Sequence, residues 1–255
     1  MTQWRRFVAV GDSITEGLCD PIIGRGEPWL GWADRLSVIL AGSAQLHEQP
    51  FSYANLAVRG RGVRDVVHDQ IPRAIEMKAD LVSVLVGAND LAGVGNDPDR
   101  VAAELETGIA ALRASGADVL LGTIFDPRFA FFLKPLRGRA AVYNANLWSI
   151  ARDHETFTLD LWGMRELQTP GMWAQDRVHL TPSGHRLLAL KASHSLGVAY
   201  TEVSAEALEG LDRLPTVGWL REHVLPWAGR RIRRSNSGDG IEAKIPELIK
   251  VTTRR

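Results

Sequence analysis

Ser13 lies in a turn directly after the apolar segment Phe7–Val10, in the run Gly11-Asp12-Ser13. Four consecutive apolar residues predict a short buried strand. Open α/β sheets bind ligands outside the carboxyl ends of their strands, so a serine at this place could act as a nucleophile. The turn would also leave backbone N–H groups available to stabilise an oxyanion. The alternative is an Asx-type turn that simply begins a helix.

An acid–histidine pair, Asp176 and His179, is the second candidate group. Of the seven histidines, only His179 has an acid three residues before it on a loop that follows the last predicted strand. A general base needs a partner that fixes its tautomer and stabilises the imidazolium, and Asp176 is near enough in sequence to do so. The alternative is a surface pair that caps the following helix.

Two further candidates follow the second and third predicted strands. Asn89, in the run Gly87-Ala88-Asn89-Asp90, could direct its amide N–H toward the serine, although Asn-Asp is also an ordinary loop start. Gly60 lies in the loop after the second strand, where glycine lets the backbone N–H approach a ligand closely. For this loop the alternative is a flexible turn.

Strand-like and helix-like segments alternate along the chain to about residue 196. The strand-like segments lack strict polar alternation, which is typical of parallel strands covered on both faces. They are Phe7–Val10, Phe51–Leu56, Leu81–Val86, Val119–Phe125 and Thr156–Leu161. Asp97-Pro98 and Thr181-Pro182 predict helix starts, each with an N-cap residue followed by proline. This alternation predicts a doubly wound α/β sandwich.

The order Ser, Gly, Asn, Asp-x-x-His resembles the four sequence blocks of the SGNH hydrolase superfamily, the GDSL-type esterases. The matching segments are Gly11-Asp12-Ser13, Gly60, Gly87-Ala88-Asn89-Asp90 and Asp176-Arg177-Val178-His179. The resemblance covers about residues 5–196, with Ile14 where the name motif has leucine and Ala57 at a position often held by glycine. It implies a three-layer α/β/α sandwich with a five-stranded parallel, flavodoxin-like sheet.

The resemblance also implies a role for each residue. Ser13 would be the nucleophile, His179 the base that later protonates the leaving group, and Asp176 its orienting partner. The N–H groups of Ser13 and Gly60 and the amide of Asn89 would form the oxyanion hole. The reaction would be ester hydrolysis through an acyl-enzyme, without metal or cofactor. An acyltransferase or carbohydrate O-acetyl esterase with the same triad is an alternative, as is a non-catalytic ligand-binding module.

Composition narrows the classes of partner and compartment. Thirty basic and thirty acidic residues give no net charge, so nothing indicates a nucleic-acid partner. The single cysteine, Cys19, excludes an intrachain disulfide and a cysteine-based zinc site, and a small buried side chain is expected there. No signal peptide or membrane span is apparent, which predicts a cytoplasmic protein acting on a small-molecule ester. The oligomeric state stays open.

The chain divides into three predicted regions. Residues 1–198 form the catalytic domain, residues 199–228 a helical extension, and residues 229–255 a basic, flexible tail. A tail that contacts anionic lipid or nucleic acid is the alternative interpretation.

Two loops rich in apolar side chains are predicted to shape the substrate pocket. The first, residues 20–32, contributes Trp29, and the second, residues 126–137, contributes Phe129 and Phe132. At a pocket mouth, such side chains would favour an acyl chain or an aromatic group. The alternative is that they anchor the loops to the core. Arginines could instead bind an anionic group of the substrate, the candidates being Arg25, Arg59 and Arg128.

Overall fold

A central sheet of six strands organises the computed structural model, which describes residues 4–21, 29–93, 95–198, 238 and 240–251. The strands are β1 (Arg6–Gly11), β2 (Ser52–Asn55), β3 (Leu81–Leu85), β4 (Asp118–Gly122), β5 (Phe157–Leu159) and β6 (Ile245–Lys250). Their order across the sheet is β5-β4-β3-β1-β2-β6. Strands β1 to β5 are parallel and occur in the flavodoxin-like order 2-1-3-4-5, which confirms the predicted fold class.

Helices cover both faces of this sheet. They are α1 (Ser13–Glu16), α2 (Trp32–Gln45), α3 (Val63–Asp65), α4 (Ile71–Glu76), α5 (Ala88–Leu91), α6 (Pro98–Ala114), α7 (Arg137–Asp153) and α8 (Pro182–Ser195), with a π-helical turn at Val66–Gln70 between α3 and α4. Side chains of β1 alternate between two buried clusters: Val8 and Val10 face one, and Phe7 and Ala9 face the other. All four are fully buried, so β1 is covered on both sides.

The sheet has six strands where the sequence predicted five. The sixth, β6, comes from residues assigned to the flexible basic tail, and it pairs antiparallel with the edge strand β2. Ile245 and Leu248 of this strand pack against the two buried clusters, which explains why this part of the tail is ordered. Pro246 is tolerated because β6 is itself an edge strand. The flexible-tail assignment is therefore wrong for residues 245–250.

Other predictions for this end of the chain lie outside the described residues. These include the helical extension at 199–228 and the arginine cluster at 230–234, and the same holds for Arg25 in the first loop. Among the described residues, no helix combines the length and hydrophobicity needed to cross a bilayer.

Both predicted helix starts are confirmed. Asp97 accepts a hydrogen bond from the N–H of Asp99 at 3.0 Å, and α6 begins at Pro98. The hydroxyl of Thr181 accepts from the N–H of Gly184 at 3.2 Å, and α8 begins at Pro182. Such side chains satisfy N–H groups that have no acceptor within the helix. The cap at Thr181 therefore fixes the start of α8 three residues after His179.

Thr181→Ala should lower the free energy of unfolding by about 1 kcal/mol, because it removes the cap of α8. The hydroxyl also donates to the carbonyl of Gly171 at 2.9 Å, so the loss should not fall below the usual cost of a cap. Urea denaturation measures the effect, with Thr181→Ser as the control that keeps both hydrogen bonds. Equal denaturation midpoints for the alanine and serine variants would contradict the assignment.

Candidate active site

Ser13 is the first residue of a four-residue helix at the carboxyl end of β1. The Asp12 carboxylate caps this helix by accepting from the N–H of Ile14 at 3.1 Å. Gly11 has φ of 150°, and a Cβ there would lie 2.3 Å from the carbonyl oxygen of Leu85, so the turn requires glycine. The first N–H groups of a helix have no acceptor within it, and the N–H of Ser13 is one of these groups in α1.

Gln70, in the π-helical turn, fixes the backbone just before the serine. Its side-chain oxygen accepts from the N–H of Gly11 at 2.7 Å, and its amide donates to the carbonyl of Gly11 at 3.0 Å. Both contacts are buried. The Gln70 side chain therefore hydrogen-bonds both backbone polar groups at the end of β1, as a neighbouring strand would. This contact was not predicted from the sequence, since a glutamine within a helical segment carries no local signal of it.

Asp176 and His179 form a direct hydrogen bond on the loop before α8. The Asp176 Oδ2 atom lies 2.6 Å from His179 Nδ1, and its Oδ1 accepts from the N–H groups of Val178 and His179 at 3.0 Å each. The carboxylate is thus oriented by three hydrogen bonds, and it fixes the ring with Nε2 pointing away from it. The arrangement is that of an acid–base pair.

Electrostatics within this pair stabilise the charged form of both groups. Burial by itself would raise the pKa of Asp176, but the hydrogen bond from His179 and its charge outweigh burial and lower that pKa to about 2. Burial would likewise lower the pKa of His179, but the hydrogen bonds to Asp176 and Cys19 raise it above the usual 6.5. His179 is therefore a stronger base than a free histidine.

Cys19 lies next to this pair, contrary to the small buried side chain that the sequence predicted. Its sulfur, a ring nitrogen of His179 and a carboxylate oxygen of Asp176 all lie within 4.8 Å of one another, and the thiol is partly exposed. The chain leaves α1 through two left-handed residues, Gly17 with φ of 99° and Cys19 with φ of 69°. This turn brings the thiol to the histidine, which spacing along the sequence cannot reveal.

The same three side chains are the one group of potential metal ligands that lies close enough together within the described part of the chain. A thiol, an imidazole and a carboxylate are donors that zinc accepts. However, the 2.6 Å hydrogen bond between Asp176 and His179 already engages one ring nitrogen and one carboxylate oxygen. The geometry therefore suits proton transfer better than metal binding.

Asn89 connects the nucleophile turn with the glycine loop. Its Nδ2 donates to the carbonyl of Arg61 at 3.0 Å and to Asp12 Oδ2 at 3.3 Å. The preceding Gly87 has φ of 121°, and a Cβ there would lie 2.6 Å from the ring of Tyr143, so the turn after β3 requires glycine. These contacts bring Asn89 to the turn that carries Ser13.

Gly60 lies beside the same turn because its neighbour binds α1. The N–H of Arg59 donates to Glu16 Oε2 at 2.6 Å, and its guanidinium forms an ion pair with Glu16 Oε1 at 2.5 Å. Glu16 is buried, so the charge is paired where water cannot solvate it. Gly60 itself has φ of 79°, a conformation that favours glycine. Arg59 is therefore engaged with Glu16 in this structure.

His185 is a further residue near the site whose contacts were not predicted from the sequence. It is fully buried on α8, its Nε2 lies 3.1 Å from the carbonyl oxygen of Leu18, and its Nδ1 accepts from the N–H of Trp32 at 3.3 Å. Burial lowers its pKa to about 3, so the ring is neutral. His185 therefore connects the segment after α1 to α8, the helix that follows His179. In the sequence, only its position on the buried face of α8 indicates this contact.

Comparison with known proteins identifies the family. Residues 9–187 match the model of the GDSL-like lipase/acylhydrolase family, which is more than half of the chain. The chain belongs to this GDSL-like acylhydrolase family. Its members are carboxylic ester hydrolases, and the predicted resemblance to GDSL-type esterases is confirmed. No curated protein sequence matches the chain.

Solved structures agree with this GDSL-like acylhydrolase in fold. An acetylxylan esterase from Geobacillus stearothermophilus is 23% identical with a TM-score of 0.63, and the match covers 78% of this chain and 97% of that one. An α/β hydrolase enzyme from the metagenome of Lake Arreo, Spain, is 24% identical with a TM-score of 0.64, covering 77% and 97%. At these identities the comparison supports the shared fold.

An apolar cavity opens beside Asn89 in this acylhydrolase. It encloses about 510 Å³, counting space that is open to solvent, and Asn89 and Val178 both line it. Most of its remaining wall is hydrocarbon from the segments after β3 and β4, including Leu91, Ile124, Phe125, Leu133 and Leu136. An apolar cavity between the predicted oxyanion donor and the segment that carries His179 is suited to an acyl chain.

The three predicted substrate-binding residues have other contacts and are absent from the lining of this cavity. Phe129 stacks on Trp173 with ring centroids 4.4 Å apart, and Phe132 packs edge-on against Phe131 at 5.8 Å. The carbonyl of Trp29 accepts from the ammonium group of Lys244 at 2.9 Å. A direct role for these residues in substrate binding stays a prediction.

With His179 as the predicted base, the activity of this acylhydrolase should fall as pH drops through the raised pKa of that residue, because a base must be neutral to accept a proton. Cys19→Ala removes one hydrogen bond that raises this pKa, so the acid limb of kcat/KM should move to lower pH. A pH series on one ester measures the shift. Superimposable acid limbs for Cys19→Ala and the parent protein would contradict the influence of the thiol.

Proposed function

We propose that this acylhydrolase is a serine esterase in which Ser13, His179 and Asp176 form a catalytic triad. The observation that carries the proposal is the 2.6 Å hydrogen bond between Asp176 and His179 Nδ1. A base oriented in this way presents its other nitrogen to a nucleophile. Cys19, six residues after Ser13, lies against the same imidazole, which supports the approach of the nucleophile segment to the base.

Each residue then has a defined step. Ser13 Oγ attacks the ester carbonyl while His179 Nε2 takes its proton, and the imidazolium is stabilised by Asp176. The tetrahedral oxyanion is stabilised by the N–H groups of Ser13 and Gly60 and by the amide of Asn89. His179 then protonates the leaving alcohol, giving an acyl-enzyme. A water molecule, deprotonated by the same histidine, releases the acid and restores Ser13.

The cavity beside Asn89 favours acyl groups longer than acetyl. Its lining is dominated by aliphatic and aromatic carbon, and it lies next to the proposed oxyanion hole. Burying each additional methylene contributes about 0.8 kcal/mol, or roughly fourfold in kcat/KM if the contact is made in the transition state. The rate should therefore rise with chain length until the cavity is filled.

A carbohydrate O-acetyl esterase is the second candidate, since a structural neighbour is an acetylxylan esterase. The walls of the cavity are mostly hydrocarbon from side chains such as Leu91, Leu133 and Leu136, which favours an apolar acyl chain over a sugar acetate. An acyltransferase would use the same acyl-enzyme, and it would form product only when an acceptor alcohol is present. A ligand-binding module would not react covalently with a fluorophosphonate probe, whereas an activated serine would.

Hydrolysis of p-nitrophenyl esters from acetate to long-chain acyl groups tests the proposal. Ser13→Ala should abolish hydrolysis and fluorophosphonate labelling, and Asn89→Ala should lower kcat by about 10²–10³, the usual loss for one oxyanion donor. Hydrolysis that persists in Ser13→Ala would overturn the proposed nucleophile. Acceptor-dependent product without hydrolysis would instead favour the transferase.

Leu136→Trp tests the acyl cavity, because the larger ring should occupy space that Leu136 lines. It should lower kcat/KM for longer acyl esters about tenfold, the equivalent of roughly two buried methylenes, and leave acetate almost unchanged. Val142→Trp is the matched control, since Val142 is exposed on α7 and is not part of the lining. A uniform loss on all esters would contradict the assignment of the cavity.

A further inference from the structure

Residue 238 and residues 240–251 are called here the C-terminal segment. They follow residues 9–187, which match the family, and they pack beside the loop that carries Gly60. Strand β6 of this segment pairs with β2, the strand that leads into the glycine loop. Ala243 is buried in the same cluster as Val58, one residue before Arg59. The segment is therefore integrated with the part of the fold that carries Gly60.

Lys244 anchors the C-terminal segment on its other side. Its ammonium group lies 2.5 Å from Asp34 Oδ2 and donates to the carbonyl of Trp29 at 2.9 Å. The two side chains of this ion pair are 7% and 12% exposed, so neither charge is well solvated on its own. Asp34 also accepts from the N–H of Gly31, at the start of α2. Removing one partner of such a pair leaves the other charge buried and unpaired, which is strongly unfavourable. The ion pair therefore fixes the position of the segment.

Gly238 lies directly against the peptide unit that joins Arg59 to Gly60. A Cβ at Gly238 would lie 2.1 Å from the carbonyl oxygen of Arg59 and 2.8 Å from Val58 Cγ1, so the two backbones meet at a distance that only glycine allows. The guanidinium of Arg61 donates to the carbonyl of Gly238 at 3.4 Å. The contact therefore joins backbone to backbone and leaves no room for a side chain.

This contact bears on catalysis because of the geometry of the peptide bond. The carbonyl of Arg59 and the N–H of Gly60 belong to one planar unit and point in opposite directions when the bond is trans. A contact that fixes the direction of the Arg59 carbonyl therefore also fixes the direction of the Gly60 N–H. Glu16 already holds the N–H of Arg59 at 2.6 Å, so Gly238 supplies a second constraint on the same stretch of backbone.

We propose that the C-terminal segment is a positioning element of the oxyanion hole, in which Gly238 orients the Arg59–Gly60 peptide. This rests on the proposed function, in which the N–H of Gly60 stabilises the oxyanion. Gly238 is a positioning residue, since it acts through Gly60 and does not contact the substrate. Residues outside the family match thus contribute to the rate of the reaction.

Gly238→Ala tests the proposal, with Gly138→Ala as the matched control. A Cβ at Gly138 meets no atom within 4 Å, so that substitution should leave kcat within about twofold. A Cβ at Gly238 must displace the Arg59 carbonyl, and kcat per active site should fall about 10- to 100-fold with little change in KM. Counting active sites by fluorophosphonate labelling removes any loss that is due to unfolded protein.

An inhibitor that forms a tetrahedral adduct with the enzyme distinguishes the two possible roles of Gly238. Its inhibition constant should change if Gly238 orients the oxyanion hole and should not change if Gly238 only stabilises the fold. A trifluoromethyl ketone places an oxyanion in the proposed hole, so its inhibition constant for Gly238→Ala should weaken by about the same factor as kcat/KM. An unchanged kcat per labelled site and an unchanged inhibition constant, with only a lower Tm, would overturn the proposal. Hydrolysis by the parent protein that does not depend on Ser13 would overturn the proposed function as well.

Lys244 provides a second test if Gly238→Ala does not fold. Lys244→Met removes the anchor without touching the glycine loop and should lower kcat per labelled site, while Lys244→Arg retains the charge and should recover most of it. A kcat per labelled site equal to that of the parent protein in Lys244→Met would count against the proposal.

Discussion

Burial of β1 on both faces is the constraint on which the site depends. Its side chains fill two separate cores, so the strand cannot shift by one residue without exchanging the faces of Phe7 and Val8. The register with β2 and β3 therefore fixes where β1 ends, and Ser13 follows at that point. The parallel arrangement then places the loops after β2 and β3 at the same edge, beside the serine.

Two buried carboxylates, those of Asp12 and Glu16, fix the segments at this edge of the sheet relative to one another. Asp12 caps α1 and accepts from Asn89, while Glu16 accepts from both the backbone and the guanidinium of Arg59. Burying a carboxylate is costly unless hydrogen bonds replace its water. Apart from the N–H of Ile14 in α1, the donors that replace this water come from the segments after β2 and β3. The groups that satisfy these charges are thus the same groups that bring Gly60 and Asn89 to the serine.

Local features of the sequence were sufficient to predict much of this arrangement. The five parallel strands follow from short apolar runs, and the starts of α6 and α8 follow from Asp97 and Thr181 next to proline. The pairing of Asp176 with His179 is also local, because both lie on one loop. Each of these features depends on residues close together in the chain.

Contacts between distant parts of the chain could not be predicted in the same way. β6 was assigned to a tail because its partner β2 lies about 190 residues earlier, and a charged, proline-containing segment has no strong strand pattern. Turns and helix packing determine the positions of Cys19, Gln70 and His185. Neither can be deduced from the spacing of residues along the sequence. The cavity lining was missed because it combines side chains from the segments after two different strands.

The contact between Glu16 and Arg59 also limits how this protein can evolve. Replacing either residue alone would leave a buried charge without its partner, at a cost of about 3–5 kcal/mol. A relative that loses the acid must also satisfy the N–H at position 59 by other means, because Glu16 accepts from that backbone group as well. Positions 16 and 59, separated by 43 residues, should therefore covary among homologues and change as a pair.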